Sequence, residues 1–206
     1  MYKFYVLTFL LGLFVPLIFF PILIYCEKIG NFTGLIDKPN FRKVHKKPTS
    51  KIGGVFFIIV IVFLLITNFL NFNERLLLSM FILSFGLFAI GLIDDLIDIK
   101  GSTRLILQFF VIAISIIIDF NLNINELYLG YNSLEIKIFT GSFIFSIFCI
   151  ITLVNAINLA DGENGLVVSI FLIFLIIFYY NHFDPINAIF IPLILSCILF
   201  LTYNIK

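Results

Sequence analysis

Long apolar blocks alternate with short polar segments along the whole chain. Runs free of Asp, Glu, Lys, Arg and His extend over Phe4–Cys26, Ile52–Asn73, Leu76–Ile93, Leu105–Ile118, Ile138–Ala160, Asn164–His182 (its His excluded) and Pro185–Ile205. A helix needs about 20 mostly apolar residues to cross the hydrocarbon of a bilayer, and all but Leu105–Ile118 meet or approach that length. Leu105–Ile118 spans if Arg104 snorkels at one end and Asp119–Phe120 sit at the interface. Barrel strands would alternate in polarity, and these runs do not; lipid then leaves helices. The pattern predicts an all-α, polytopic transmembrane helical bundle of about seven spans, one integral-membrane domain over residues 1–206.

Composition agrees with that class. The chain is 62% hydrophobic and 12% charged, with a mean hydropathy of +1.18, against about half and about a quarter in soluble domains. Tryptophan is absent, so interface anchoring falls to Tyr2, Tyr5, Tyr128, Tyr131, Tyr179, Tyr180 and Tyr203. Phe4–Cys26 is too long for the apolar core of a secretory signal, carries Pro16 and Pro21, and lacks a small-x-small cleavage site, so it reads as a retained first span. Cys26, Cys149 and Cys197 lie in or at the ends of apolar runs without metal-ligand spacing and read as small buried hydrophobes.

The distribution of charge orients the spans. Lys28, Lys38, Arg42, Lys43, Lys46, Lys47 and Lys51 follow the first run, Lys100 and Arg104 fall in the third connection, and Lys206 ends the chain. The other side holds Lys3, Arg75 and Lys137. This asymmetry predicts an N-terminus outside and a C-terminus in the cytoplasm. A basic cluster beside a membrane is by itself a topology signal and a contact for anionic lipid. That accounts for the lysines and leaves the carboxylates unexplained.

Three polar segments then share the cytoplasmic face: Asp37 to Gly54, Asp94 to Gln108 and Asn155 to Gly165. Asp94 and Asp95 are adjacent carboxylates at a helix end near lipid, where they repel and lose hydration. A divalent cation between them would offset that, since Mg²⁺ takes one or two carboxylates plus phosphate and water. The plainer reading is a solvated cap that stops the helix. Asp98 stands at i+4 and i+3 from the pair, a spacing that predicts three carboxylates on one helical face. Asn155 and Asn158 are helical neighbours and Asp161 continues the row, while Gly162 and Gly165 allow positive φ beside a ligand. Helix capping explains Asp161 or Asn164, but not two amides inside an apolar stretch. The first segment has Pro39 and Pro48, many cations and a closing Gly53–Gly54 pair, a composition suited to a diphosphate. It is not a P-loop, because the Gly-x-x-x-x-Gly-Lys spacing is lacking. His45 has no second ligand nearby and reads as a surface or hydrogen-bonding residue rather than a metal site, and His182 falls on the external side without a partner.

Together the three segments resemble the polyprenyl-phosphate N-acetylhexosamine-1-phosphate transferases (glycosyltransferase family 4). The matching residues are Asp37, Pro39, Asn40, Arg42, Lys43, His45, Pro48, Gly53 and Gly54; then Gly91, Asp94, Asp95, Arg104 and Gln108; then Asn155, Ala156, Asn158, Leu159, Asp161, Gly162, Asn164 and Gly165. They run from about residue 35 to the C-terminus, in family order and at alternate connections. The first segment is more similar to the enzymes that start O-antigen, enterobacterial common antigen or teichoic acid synthesis. The peptidoglycan branch usually carries Thr-Met-Gly-Gly where this chain has Lys51-Ile52-Gly53-Gly54.

The resemblance implies transfer of a sugar-1-phosphate, N-acetylglucosamine-1-phosphate first among them, from a UDP-sugar to undecaprenyl phosphate. UMP is released, Mg²⁺ is required (Mn²⁺ being the alternative), and the site faces the cytoplasm at the inner (plasma) membrane, in cell wall or lipopolysaccharide synthesis. Asp94 and Asp95 bind or orient Mg²⁺, or one of them deprotonates the lipid phosphate. Asn158 completes the metal environment and Asp161 joins the catalytic set. Lys46, Lys47, Asn155 and Asn164 contact substrate. The partners are the nucleotide sugar and the lipid, with no nucleic acid and with a homodimer implied by the family. The family also has a Gly-Asp-x-Gly-Ser segment and a His-rich loop after the stretch that here reads FLTYNIK, and this chain stops at Lys206. The expectation is therefore a C-terminally truncated, N-terminal part of the family's domain, with an inactive fragment or assembly subunit as the alternative. A small-solute or ion transporter is the rival from another class, and it predicts polar residues at span centres rather than span ends.

Overall fold

The computed structural model describes residues 2–37, 49–67, 73–129, 134–138, 140–160, 165–181 and 187–204. Every apolar run forms a helix. In chain order these are α1 (Tyr2–Ile24), a short α2 (Cys26–Thr33) with no run of its own, α3 (Gly53–Thr67), α4 (Glu74–Ile97), α5 (Gly101–Ile118), α6 (Ser142–Ala160), α7 (Leu166–Asn181) and α8 (Asn187–Asn204). Among the described residues, α4, α5 and α6 are each long and apolar enough to cross a membrane, and α1 with α2 make a fourth crossing if the bent pair is one span. The described parts of α3, α7 and α8 are shorter apolar helices. At about 1.5 Å per residue, the 15 residues of α3 fall short of the ~30 Å hydrocarbon.

Two departures from the sequence pattern concern α5 and the connections. The run Leu105–Ile118 becomes a full 18-residue helix because Gly101 to Arg104 join its first turn. Arg104 therefore does not snorkel outward but turns back to a carboxylate. The connections are not purely irregular either. β1 (Ile36–Asp37) pairs antiparallel with β2 (Thr49–Ser50), and β3 (Glu126–Leu129) with β4 (Leu134–Lys137). In β3–β4, Glu126 lies opposite Lys137 and Tyr128 opposite Glu135, but the side chains bond along their own strands: the Tyr128 hydroxyl donates to Glu126 at 2.8 Å and Lys137 pairs with Glu135 at 3.2 Å.

Contacts group the chain into two units, residues 1–73, 95–97 and 159–206 in the first and 74–94 and 98–158 in the second. In the first, α1 packs on α3 and α8, and α7 packs on α8. Its core joins Val15 and Leu23 of α1 to Phe56, Val60 and Leu64 of α3, with Leu193 and Phe200 of α8 packed against them. A β-carbon on Gly53 would lie 2.6 Å from the Phe200 ring, so α3 begins where only glycine lets that ring close in. α1 carries Pro16 and Pro21 and bends by 64° into α2 at Tyr25. The bend falls where the apolar run gives way to Glu27 and Lys28.

In the second unit, Ile112, Ala113 and Ile116 of α5 pack against Ile147 of α6, flanked by Leu83 and Leu87 of α4. The Ser146 hydroxyl donates to the Ser142 carbonyl at 2.6 Å and accepts from the Ile124 amide at 2.7 Å. That pair of bonds ties α6 to the strand of chain leading into β3. Leu78, Phe81 and Phe85 of α4 and Ile144, Phe148 and Leu153 of α6 remain exposed. An apolar surface of this extent is a liability in water and the ordinary state of a helix facing lipid.

Candidate functional site

α4 and α5 place their charges against their own dipoles. The last turn of α4 holds Asp94 and Asp95 and no basic residue, while the first turn of α5 holds Arg104 and no acidic one. Each such placement costs roughly 0.3–1 kcal/mol where exposed. The Arg104 guanidinium offsets part of this by donating through Nη1 to Asp94 Oδ2 at 2.9 Å, with both side chains about three-quarters buried. Its Nη2 reaches Asn155 Oδ1 at a long 3.5 Å.

Asn155 is fixed from the other end. Its Nδ2 donates to Gln108 Oε1 and to the Ile151 carbonyl, both at 2.8 Å. Gln108 is itself buried. Arg104 and Gln108 stand four residues apart and so share one face of α5; that face meets the end of α4 and the C-terminal half of α6. The result is a continuous polar chain, Asp94–Arg104–Asn155–Gln108, inside the second unit. Arg104 Nε is buried without a partner among the described residues. A buried donor left unpaired costs about 1–3 kcal/mol, which marks this guanidinium as incompletely satisfied.

Asp95 is held separately, in the first unit. Lys51 Nζ donates to its Oδ1 at 2.6 Å. Among the described residues the second oxygen of each carboxylate has no partner, and no group of three or more His, Cys, Asp or Glu side chains forms a metal cage. Hard carboxylate oxygens with a free lone pair suit Mg²⁺, which keeps waters and takes phosphate oxygens for its remaining positions. Each carboxylate taken by itself offers one oxygen suited to such an open site.

The other expected residues divide into three outcomes. Asn158 lies on α6 but is exposed and outside the polar chain. Asp98 does not share a face with Asp94 and Asp95: α4 ends at Ile97, and Asp98 turns to φ 51° with its amide donating to the Asp94 carbonyl at 2.9 Å. Asp tolerates this left-handed geometry better than most residues, so it closes the helix instead of extending the acidic row. Lys46, Lys47, His45, Asp161 and Asn164 lie outside the described residues, and Gly165 has the positive φ (77°) expected of it. Arg104 and Gln108 were expected as motif members only; their i, i+4 spacing was the available signal for a shared face. In the sequence Lys51 stands out only as the residue in place of the peptidoglycan branch's Thr, which gives no sign of a carboxylate partner.

A sequence profile of glycosyl transferase family 4 matches residues 77–206. The undecaprenyl-phosphate alpha-N-acetylglucosaminyl 1-phosphate transferase of Escherichia coli O157:H7 is 29% identical over 147 residues, 70% of this chain and 39% of the relative. The same-named protein of Salmonella typhi is 29% identical over 144 residues, 68% of this chain and 38% of the relative. A probable undecaprenyl-phosphate N-acetylglucosaminyl 1-phosphate transferase of Bacillus subtilis is 24% identical over 161 residues, 78% of this chain and 43% of the relative. The chain thus spans about two-fifths of the length of these relatives. No solved structure matches it.

Proposed function

The chain belongs to glycosyl transferase family 4, and on that premise we propose that it serves transfer of a sugar-1-phosphate, N-acetylglucosamine-1-phosphate in the first place, from a UDP-sugar to undecaprenyl phosphate. An oxygen of the lipid phosphate attacks the phosphorus attached to the sugar. The bond from that phosphorus to the bridging oxygen breaks, and the bridging oxygen leaves with UMP. Phosphoryl transfer of this kind asks a protein chiefly for positioning and charge neutralisation.

The observation that carries this reading is the Asp94–Arg104–Asn155–Gln108 chain, which holds a carboxylate and an amide in fixed positions at helix ends. Arg104 and Gln108 orient; Asp94 presents its second carboxylate oxygen to ligand, and Asn155, with Nδ2 and Oδ1 both engaged, is assigned to substrate on the motif. Asp94 and Asp95, with Asn158, are the residues that would hold Mg²⁺. When bound, that ion would screen the charge of the diphosphate. Either carboxylate, close to an arriving lipid phosphate, can instead take its proton. Lys46, Lys47 and Asn164 are assigned to the nucleotide and Asp161 to the diphosphate, on the motif alone. The charged members of the polar chain, Asp94 and Arg104, sit at helix ends and not mid-span, which favours a surface reaction between a soluble nucleotide and a lipid over transport.

The test is release of labelled UMP from UDP-N-acetylglucosamine by membranes carrying the chain. Release is expected to need both undecaprenyl phosphate and Mg²⁺ and to fall at least a hundred-fold, on the order expected for loss of a positioned acid–base or metal-binding group, in Asp95→Asn. Lipid-independent release, none at all, or near-normal release by Asp95→Asn would overturn the assignment.

A further inference from the structure

The backbone around Lys51 is held from several sides. Its amide donates to the Leu35 carbonyl at 3.0 Å, and the β1–β2 ladder precedes it directly, pairing Ile36 with Ser50. The Ser50 hydroxyl donates to the Cys26 carbonyl at 2.8 Å and accepts from the Ile52 amide. A β-carbon on Gly30 would come within 2.7 Å of that hydroxyl oxygen, so α2 sits tight against the turn. Ile52 is fully buried immediately after it. The backbone on both sides of Lys51 is thereby fixed, and its ammonium ends 2.6 Å from one oxygen of Asp95. An exposed pair of two free side chains is worth little. A lysine whose backbone is already ordered loses less entropy on pairing, and it stands where a cation belongs.

We propose that Lys51 is the resident counter-ion of Asp95: it positions that carboxylate in the ligand-free protein and must yield its oxygen when a divalent cation arrives. The inference rests on the metal-binding role given to Asp95 above. One positive charge then replaces another at the carboxylate, so Asp95 is never left as an uncompensated anion near lipid. The freed ammonium stays within reach as a donor to phosphate.

The test uses the full chain in detergent, with Mn²⁺ as the probe, free Mn²⁺ read by electron paramagnetic resonance, and Mg²⁺ as competitor. Lys51→Gln removes the competing charge and is expected to tighten Mn²⁺ binding roughly two- to ten-fold, the range set by loss of a half-exposed ion pair. Lys51→Arg stays near wild type, and Asp95→Asn weakens binding. In metal-free protein, Lys51→Gln and Asp95→Asn each lower the melting temperature, and the double variant lowers it no further than the worse single one. Unchanged or weaker Mn²⁺ binding in Lys51→Gln would overturn the counter-ion role even if the thermal coupling is found. Additive thermal effects would overturn the pair itself. If Asp95→Asn binds Mn²⁺ as wild type does, the metal-binding role of Asp95 fails as well, and the thermal cycle alone then reports on the pair.

Discussion

Single side chains decide how firmly the polar chain is held. Arg104 joins Asp94 to Asn155, and Gln108 closes the far end, so each member is satisfied only while its neighbour stays. Replacing Arg104 with Met leaves a three-quarters-buried carboxylate without its cation and is expected to cost about 1–2 kcal/mol, less than for a fully buried pair because water reaches part of it. Arg104→Lys keeps the charge for Asp94 but loses the fork that also reaches Asn155, so it should recover only part of that. In thermal unfolding, Arg104→Met with Asp94→Asn should be less destabilising than the two single effects added, by about 1 kcal/mol; strict additivity would mean the 2.9 Å contact contributes nothing. These residues were legible in part. Adjacent carboxylates and paired amides stand out from an apolar background because lipid makes them costly. Arg104 stood out as a span-end cation and a motif member but not as a partner of Asp94 and Asn155, since pairing across three helices leaves no local trace in sequence. The Lys51–Asp95 contact, 44 positions apart, left none either.

Helices were the most legible elements. Each uncharged run forms one, because a chain in hydrocarbon must satisfy its backbone internally. What the runs concealed was the interruption at Tyr25, the extension of α5 to Gly101 and the stop at Ile97, all set by a few residues at the polar margins. The β3–β4 hairpin does show alternation, with Leu127 and Leu129 facing Ile136 and Leu134 in register, but four residues per strand are easily lost among long apolar runs. The close approach of α3 to α8 is a packing fact that a glycine only hints at. Gly53→Leu is expected to lower stability by about 1–3 kcal/mol through overpacking against Phe200. Gly91→Ala, where a β-carbon meets nothing within 4 Å, should leave the melting temperature unchanged or slightly higher. Equal effects of the two would remove the Phe200 contact as the reason for Gly53.

For the chain as a whole, the proposed reaction needs the three polar segments to emerge on one side of the membrane, the side that a water-soluble nucleotide sugar can reach. The lysine and arginine distribution supports this, with most of the positive charge on the connections that carry the motifs. The β3–β4 hairpin belongs to an even connection and is assigned to the opposite side. Single cysteines at Thr49, Lys100 and Asn164, and one at Glu135 in the hairpin, introduced after Cys26, Cys149 and Cys197 are replaced by alanine, test this with a membrane-impermeant maleimide. In intact cells the reagent should label Glu135→Cys and spare the other three, which react once the membrane is opened. Labelling of any of those three from outside, or of all four alike, would contradict a shared cytoplasmic site and with it the proposed reaction.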